Sequence, residues 1–269
     1  MSTLDLLDGA HLNYEIAGDG PTVTFIHPGL WDMRTWDREF ARFADAGYRV
    51  LRYDVRGYGG SSRPEPGVAY SHIRDLEALL AAEEVTQTTI IGCSMGGGID
   101  LDYALVHPER VWGVVLVASA LGGFESTEEE DDWWTEREAP IEAAIEAGDL
   151  ECAQELQLEI WAPLGTDDEA GARIKEIAFD NIHELTMDES GAERLDPPAA
   201  HRLTEIDVPT LILPAEHDPP ELRRVSDFLA MEIIGSRKVV VAGADHVVNL
   251  RQPDRFEELV LPFLAEAAP

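Results

Sequence analysis

The chain of 269 residues has few cysteines and few lysines: Cys93, Cys152, Lys175 and Lys238. A chain of this length can bury roughly 75% of the surface that its unfolded form exposes, so its core needs neither a disulfide bond nor a structural metal. A bridge to Cys93 would disturb the glycine-rich turn in which this residue lies. We therefore predict two free thiols, as is usual in a reducing cytoplasm.

Long apolar segments are also missing. Residues 1–8 lack the basic cluster and the apolar run of a signal peptide, and no stretch has the length and composition of a membrane span. We therefore expect a soluble protein of the cytoplasm that does not associate with membranes. Whether it is a monomer or a homodimer is left open by the sequence.

Basic residues are outnumbered by acidic ones, 20 to 53, which gives a formal net charge of −33. A field of this sign repels phosphate backbones and anionic membrane surfaces, so nucleic acid is not expected as a partner. The same field slows the encounter with anionic small molecules, although salt reduces this effect. The charge therefore favours a small-molecule substrate that is not strongly anionic.

One stretch carries a recognisable chemical pattern: Ile90-Ile91-Gly92-Cys93-Ser94-Met95-Gly96-Gly97-Gly98. A Gly-x-Ser-x-Gly pattern between a strand and a helix is typical of a nucleophile elbow, a strained turn that requires small neighbours. Ser94 is therefore the candidate nucleophile. The pattern by itself is a weak signal, because chance matches are common in a chain with 22 glycines.

The periodicity of apolar residues predicts strands that alternate with helices. Strands are expected at 3–7 and 10–16, as a hairpin, and at 22–26, 49–53, 88–93, 111–118, 208–213 and 238–241. Helices are expected at 36–46, 71–84, 95–106 and 253–265. This alternation implies right-handed crossovers and a doubly wound α/β fold with a mostly parallel sheet of eight strands.

The strand pattern disappears between residues 121 and 205, where acidic helical stretches at 140–161 and 169–183 replace it. We therefore predict a core domain made of residues 1–120 and 206–269, with residues 121–205 inserted as a helical cap, or lid. The acidic run at 128–132 is expected to be a solvated helix face or a helix start rather than a cation site.

A serine hydroxyl is a weak nucleophile near neutral pH, so it needs a base and a third group that orients the base. His246 follows the last predicted strand and is the candidate base, although a loop histidine bonded to the backbone is the alternative. Asp218 follows the preceding strand and is the candidate acid. Glu216 and Asp245 are the fallback acids.

A tetrahedral intermediate requires donors for its oxyanion, typically two backbone amides. Met95, directly after the serine, is the candidate for one of them. The other is expected from the loop at 27–30; Pro28 has no N–H, which leaves Gly29 first and Leu30 second.

Four tryptophans are candidates for the substrate pocket. Trp31 adjoins the loop at 27–30, and Trp133, Trp134 and Trp161 lie in the inserted segment, where aromatic side chains could line an apolar pocket. The alternative for the last three is that they pack the inserted segment onto the core.

These pieces, in their order along the chain, resemble the α/β-hydrolase superfamily over nearly the whole length. The resemblance rests on His27-Pro28-Gly29, on Asp54-Val55-Arg56-Gly57-Tyr58-Gly59-Gly60-Ser61, on the elbow around Ser94, and on Asp218 and His246. Residues 32–37 and 94–97 are also similar to the branch that includes 3-oxoadipate enol-lactonases and related carboxylesterases. The resemblance implies a triad of Ser94, Asp218 and His246, a cap over the pocket, and neither a cofactor nor a metal ion.

The function implied is that of a cofactor-free serine hydrolase that cleaves a carboxylic ester or a lactone of a small, fairly apolar molecule through an acyl-enzyme. Residues 92–98 also resemble the elbow of cofactor-free haloperoxidases, which are perhydrolases, and hydrolysis of a carbon–carbon bond is a further alternative with the same triad. A ligand receptor or signalling protein of the same fold is the non-enzymatic alternative. Haloalkane dehalogenases and epoxide hydrolases use an aspartate at the elbow, so the serine disfavours those reactions.

The acidic surface yields a first prediction. If it is an adaptation to high salt, the melting temperature should rise as KCl increases from low to multimolar concentrations, because salt screens the self-repulsion of the surface. Calorimetry across this range measures the effect. Acidic, arginine-biased proteins also occur in ordinary organisms, and a stability maximum at low salt would assign the protein to that group.

Overall fold

The computed structural model describes residues 1–268 and confirms the predicted fold class, with one mostly parallel sheet of eight strands. The strands are β1 (Ser2–Asp5), β2 (His11–Ala17), β3 (Thr22–Ile26), β4 (Arg49–Tyr53), β5 (Thr88–Cys93), β6 (Val111–Val117), β7 (Thr210–Leu213) and β8 (Arg237–Lys238). Their order across the sheet is β1-β2-β4-β3-β5-β6-β7-β8. β2 is antiparallel to both of its neighbours, and all other pairs are parallel.

Helices cover both faces of this sheet. They are α1 (Asp37–Asp45), α2 (His72–Ala82), α3 (Met95–Val106), α4 (Glu128–Glu146), α5 (Leu150–Trp161), α6 (Glu169–Asp180), α7 (Pro220–Glu232), α8 (Val248–Arg251) and α9 (Pro253–Ala267). Phe43 of α1 and Phe256 of α9 belong to the apolar core on one face, and Leu76 of α2 and Leu101 of α3 belong to the core on the other. No helix within residues 1–268 is long and apolar enough to cross a membrane.

Two neighbouring inner strands of the sheet, β5 and β6, are completely or almost completely buried. All six residues of β5 are buried, and β6 exposes only Trp112 in part. Runs of β-branched residues such as Val114-Val115 suit strands that are covered on both faces, as in parallel sheets. Because parallel strands end at one edge of the sheet, the loops after β3, β5, β6 and β7 meet there.

Most of the segment between β6 and β7 is helical, and its first helix, α4, begins with an N-cap at Thr127. The Thr127 hydroxyl accepts a hydrogen bond from the Glu130 amide, and the Glu130 carboxylate accepts one from the Thr127 amide, which is a capping box. The acidic run at 128–132 therefore starts α4, where carboxylates interact favourably with the helix dipole.

The predicted helix at 140–161 is wrong in its start and in its continuity. Pro140 lies exposed inside α4, which begins twelve residues earlier at Glu128. The helix also stops before Gly148, whose φ of 76° is the left-handed conformation that commonly ends helices. Two helices, α4 and α5, therefore occupy the region.

The last strand is shorter than the predicted 238–241. The amides of Val239 and Val241 still bond to the carbonyls of Ile212 and Pro214, at 2.9 Å each. Pro214 has no N–H to return a bond to the edge strand, so the regular ladder ends at Lys238. Only an isolated bridge between Ala215 and Val241 follows.

The turn between β5 and α3 depends on close backbone contacts at two glycines. A Cβ on Gly96 would lie 2.3 Å from the Ile26 carbonyl oxygen at the end of β3, and a Cβ on Gly92 would lie 2.3 Å from the Gly96 carbonyl oxygen. Ser94, between them, has a φ of 51°, which is uncommon for a residue with a side chain. The start of α3 is thereby held against the end of β3.

These contacts predict opposite effects for two similar substitutions. Gly96→Ala should destabilise the fold by about 1–3 kcal/mol, because the methyl group would overlap a backbone carbonyl. Gly98→Ala is the matched control: its Cβ would lie 3.7 Å from the nearest atom, so the helix should gain up to about 1 kcal/mol. Urea unfolding measures both changes, and equal effects of the two substitutions would contradict the contact.

Candidate active site

The candidate nucleophile lies at the carboxyl end of β5, in the middle of the sheet. The Ser94 amide bonds to the Val117 carbonyl at 2.9 Å, and the Ser94 carbonyl accepts the Ala120 amide at 3.0 Å, so the end of β6 fixes the turn from one side. The side chain is half-buried, and α3 starts at the next residue. The first amides of a helix have no partner within it, so the Met95 N–H remains the candidate oxyanion donor.

The candidate base and acid are in direct contact. His246 Nδ1 lies 2.8 Å from Asp218 Oδ1, and both residues are buried. The Ala215 amide donates to the other carboxylate oxygen at 3.2 Å, so the carboxylate cannot turn freely. With Nδ1 bonded to Asp218, the Nε2 atom of His246 remains available to accept a proton.

A cysteine joins the elbow to the histidine loop. The Cys93 thiol donates to the His246 carbonyl at 3.4 Å, and burial raises the pKa of this thiol well above its usual range. Because Cys93 immediately precedes Ser94, this bond brings the end of β5 against the loop of the candidate base. Cys93 and Cys152 are both free, which confirms the two predicted free thiols.

Both fallback acids have other partners. Glu216 Oε2 accepts the Gly243 amide at 2.8 Å. Asp245 is completely buried and binds the Arg251 guanidinium with both carboxylate oxygens. Burial raises the pKa of Asp245, and Arg251 opposes this effect. Asp218 is thus the carboxylate that the structure places on His246.

The candidate oxyanion loop follows β3 and has a strained residue of its own. Leu30 has a φ of 67°, which is rare for a residue with a side chain, and Gly29 and Leu30 are both half-buried. The backbone strain at Leu30 and at Ser94 is of the kind that clusters at functional sites. Both predicted donor positions in this loop therefore remain candidates.

His27, at the base of this loop, makes structural hydrogen bonds. Its Nδ1 donates to the Pro28 carbonyl at 2.8 Å, and its Nε2 accepts the Val55 amide at 2.9 Å. Burial lowers its pKa, which agrees with a neutral ring that donates from one nitrogen and accepts at the other. His27 therefore ties the loop after β3 to the loop after β4.

The four candidate pocket tryptophans differ in their distance from His246. The Trp161 ring lies 4.4 Å from the imidazole, and Trp134 and Trp133 follow outward, with 5.5 Å and 4.8 Å between successive ring centroids. Trp31 lies 6.3 Å from the imidazole and is completely buried.

Trp31 also connects the core to α6. Its indole nitrogen donates to the Ile174 carbonyl at 2.9 Å. Trp134 instead donates to the Glu221 carboxylate and so joins α4 to α7. Of the four candidates, Trp161 lies nearest to the candidate base, since its ring centroid is 4.4 Å from that of the imidazole.

Two side chains near the site were not predicted. The Tyr58 hydroxyl lies 3.6 Å from the position that a Cβ of Gly29 would occupy, so it borders the candidate oxyanion loop. Arg251 binds the residue next to His246. A tyrosine within the glycine-rich run at 57–60 was a usable signal for the first, whereas the sequence around Arg251 has no comparable pattern.

Metal ligands are not grouped in the described part of the chain: within residues 1–268, no three histidine, cysteine, aspartate or glutamate side chains are placed to hold an ion. The groups that lie in the loops at this edge of the sheet are a hydroxyl, an imidazole–carboxylate pair and backbone amides. Such a set can activate a serine oxygen and bind a developing oxyanion.

Comparison with known proteins gives concordant results. A family model for the alpha/beta hydrolase fold matches residues 21–139. The chain is 28% identical to the 3-oxoadipate enol-lactonase 2 of Acinetobacter baylyi, over 93% of this chain and 91% of that protein. It is 35% identical to the non-heme chloroperoxidase of Streptomyces lividans over 123 residues, which are 44% of this chain and 45% of that protein.

Solved structures extend the similarity to nearly the full length. A hydrolase from Pseudomonas aeruginosa matches with a TM-score of 0.77 and 28% identity, over 98% of this chain and 97% of that one. The predicted resemblance to the α/β-hydrolase superfamily is thereby confirmed: the chain has the α/β-hydrolase fold.

Proposed function

We propose that the protein is a serine hydrolase that cleaves a carboxylic ester or a lactone through an acyl-enzyme. The observation that carries this proposal is the buried 2.8 Å contact between His246 Nδ1 and Asp218 Oδ1, beside an elbow whose serine has a φ of 51°. A base that a carboxylate orients, in a loop that contacts the turn bearing a serine, is the arrangement that nucleophilic acyl transfer requires.

The proposed reaction has two halves. His246 Nε2 takes the Ser94 proton as Oγ attacks the carbonyl carbon, and the same nitrogen returns the proton to the leaving oxygen as the ester bond breaks. Water then attacks the acyl-enzyme with His246 again as base, which releases the acid and regenerates the serine. Asp218 holds the imidazole in the required tautomer and stabilises its cationic form.

The amides of Met95 and of Gly29 or Leu30 would bind the oxyanion in both halves. Met95 begins α3, and the loop after β3 lies against that helix start through the contact of Gly96 with Ile26. Fixed backbone donors of this kind stabilise the charge that develops in the transition state without reorganising.

Residues 121–205 are proposed to be a cap over this site. The contacts that support this role are the Trp161 ring against His246 and the Trp31 bond to α6. A wall of Trp161 and Trp134 favours a small apolar or aromatic group in the pocket. A lactone ring or a short ester of such a molecule is the proposed substrate class, in keeping with the enol-lactonase named above.

Perhydrolysis is the second candidate, favoured by the similarity to a non-heme chloroperoxidase. The same acyl-enzyme would react with hydrogen peroxide in place of water and yield a peroxyacid. Cleavage of a carbon–carbon bond in a diketone and ligand capture without turnover are the remaining alternatives of the same fold.

A substrate panel separates these functions. Esters and lactones of graded chain length would be assayed at low and multimolar salt, with a diketone, and with acetate plus hydrogen peroxide. Turnover of an ester or a lactone supports the proposal, and peroxyacid formation without it would support perhydrolysis. Labelling of Ser94 by a serine-directed phosphonate without turnover of any compound would support a receptor.

Ser94→Ala is expected to lower kcat by at least about 10³-fold, since no other hydroxyl takes its place. Ser126→Ala, at an exposed serine outside the site, is the control and should retain wild-type kcat. Initial rates on the best ester or lactone and the mass shift after phosphonate treatment measure the effect. Full activity of Ser94→Ala would reject the proposal.

Two carboxylates of one loop provide a matched test of the acid. Asp218→Asn should lower kcat by about 10³–10⁴-fold, because an amide no longer favours the tautomer and charge that His246 needs. Glu216→Gln should stay within about twofold of wild type, since the glutamine oxygen can still accept the Gly243 amide. Steady-state kinetics of both variants decide the assignment, and a larger loss in Glu216→Gln would transfer the role to Glu216.

A further inference from the structure

Arg251 is a buried cation beside the candidate base. Its side chain is only 4% exposed, and its Nε atom lies 3.0 Å from each carboxylate oxygen of Asp245, which directly precedes His246. Both partners are thus removed from water. A guanidinium is held in such a place only where its donors are matched to acceptors of fixed geometry.

The remaining donors of Arg251 reach the loop between α5 and α6. One terminal nitrogen donates to the Gly165 carbonyl at 2.6 Å, and the other lies 3.0 Å from Asp168 Oδ1. Asp168 also caps α6, because the same oxygen accepts the Gly171 amide at 2.6 Å. Asp245 itself accepts the Leu164 amide at 3.4 Å. One guanidinium therefore joins the histidine loop to this loop.

The loop that Arg251 holds begins directly after Trp161, the last residue of α5. Apolar contacts run beside the ion pair, where Val247 packs in one cluster with Ala162 and Trp31. The position of the Trp161 ring, 4.4 Å from the imidazole, thus depends on the loop that Arg251 ties to Asp245.

We propose that Arg251 is a positioning residue of the hydrolase site. Its planar guanidinium group, here called the fork, fixes residues 162–168 to the His246 loop and so keeps the Trp161 ring in a fixed position relative to the imidazole. This role rests on the proposed function. Arg251 contacts no reacting atom, and its effect is transmitted through Asp245 on one side and Gly165 and Asp168 on the other.

Substitution of Arg251 should lower the rate of catalysis per folded site. Arg251→Gln should lower kcat by about 10- to 100-fold, because a small displacement of the base is enough for such a loss. Arg251→Lys keeps the charge but cannot reach Asp245, Gly165 and Asp168 in a planar fork, so its kcat should lie between wild type and Arg251→Gln. Rates are expressed per site titrated with the phosphonate, which removes any unfolded fraction.

A double variant separates the buried-charge penalty from positioning. Asp245→Asn with Arg251→Gln removes both charges, so its melting temperature should recover relative to Arg251→Gln. Its kcat should stay low, because the bonds to Gly165 and Asp168 are still missing. Recovery of kcat together with stability would overturn the proposal.

Arg173→Gln is the matched control. Arg173, on α6, binds Asp37 on α1 at 2.7 Å and so also joins the inserted segment to the core, but it does not contact the histidine loop. Its kcat should remain within about twofold of wild type. An equal fall of kcat in Arg173→Gln and Arg251→Gln, or an unchanged kcat in Arg251→Gln, would reject the role of Arg251.

A readout that does not require turnover completes the test. Cleavage after the exposed Leu164, mapped by mass spectrometry under limited chymotrypsin digestion, should be faster in Arg251→Gln and unchanged in Arg173→Gln, because a released loop opens more often. Unchanged cleavage in Arg251→Gln would also overturn the proposal. Absence of Ser94-dependent turnover in the wild-type protein would instead reject the proposed function, and digestion alone would then decide whether Arg251 holds the loop.

Discussion

The approach of the Gly96 backbone to the end of β3 is the contact on which the geometry of the site depends. With no Cβ at this position, the first turn of α3 lies against the Ile26 carbonyl, which a methyl group would meet at 2.3 Å. The same contact sets Ser94 and the Met95 amide beside the loop that carries Gly29 and Leu30. It joins backbone to backbone, so it exists before any substrate arrives, as preorganised stabilisation of an oxyanion requires.

Elements whose boundaries are marked locally could be predicted from the sequence. β5 and α3 have the predicted bounds, because a β-rich run ends at the elbow and His107-Pro108 ends the helix. The start of α4 is also marked locally, by the capping-box spacing of Thr127 and Glu130, although the helix was predicted only from residue 140. Glu130 binds Arg224 of α7 as well as Thr127, a contact 94 residues away along the chain. The end of β8, in contrast, depends on Pro214 of the neighbouring strand.

The candidate site shows the same division. Ser94 became a candidate through the Gly-x-Ser-x-Gly pattern, and Asp218 and His246 became candidates through their places after strand ends, where open α/β sheets put functional residues. The preference for Asp218 over Asp245 rests on the same order of elements, and in the structure it is Asp218 that contacts His246, while Asp245 binds Arg251. The choice of Trp161 among the four tryptophans is different. Its ring reaches His246 from the end of α5, a contact between distant parts of the chain that local sequence does not carry.

The excess of acidic residues gives the few cations a particular role. The buried guanidinium groups of Arg52, Arg56 and Arg251 each bind acidic side chains from two separate segments: Glu15 and Asp37, Asp8 and Asp75, Asp245 and Asp168. Salt screens exposed charges far more than buried pairs. Ionic strength should therefore act on the repulsion of the outer surface while these internal connections persist. The stability of the molecule and the geometry of its site can thus respond separately to salt, because the first depends on the exposed carboxylates and the second on the Arg251–Asp245 pair, which is buried on both sides.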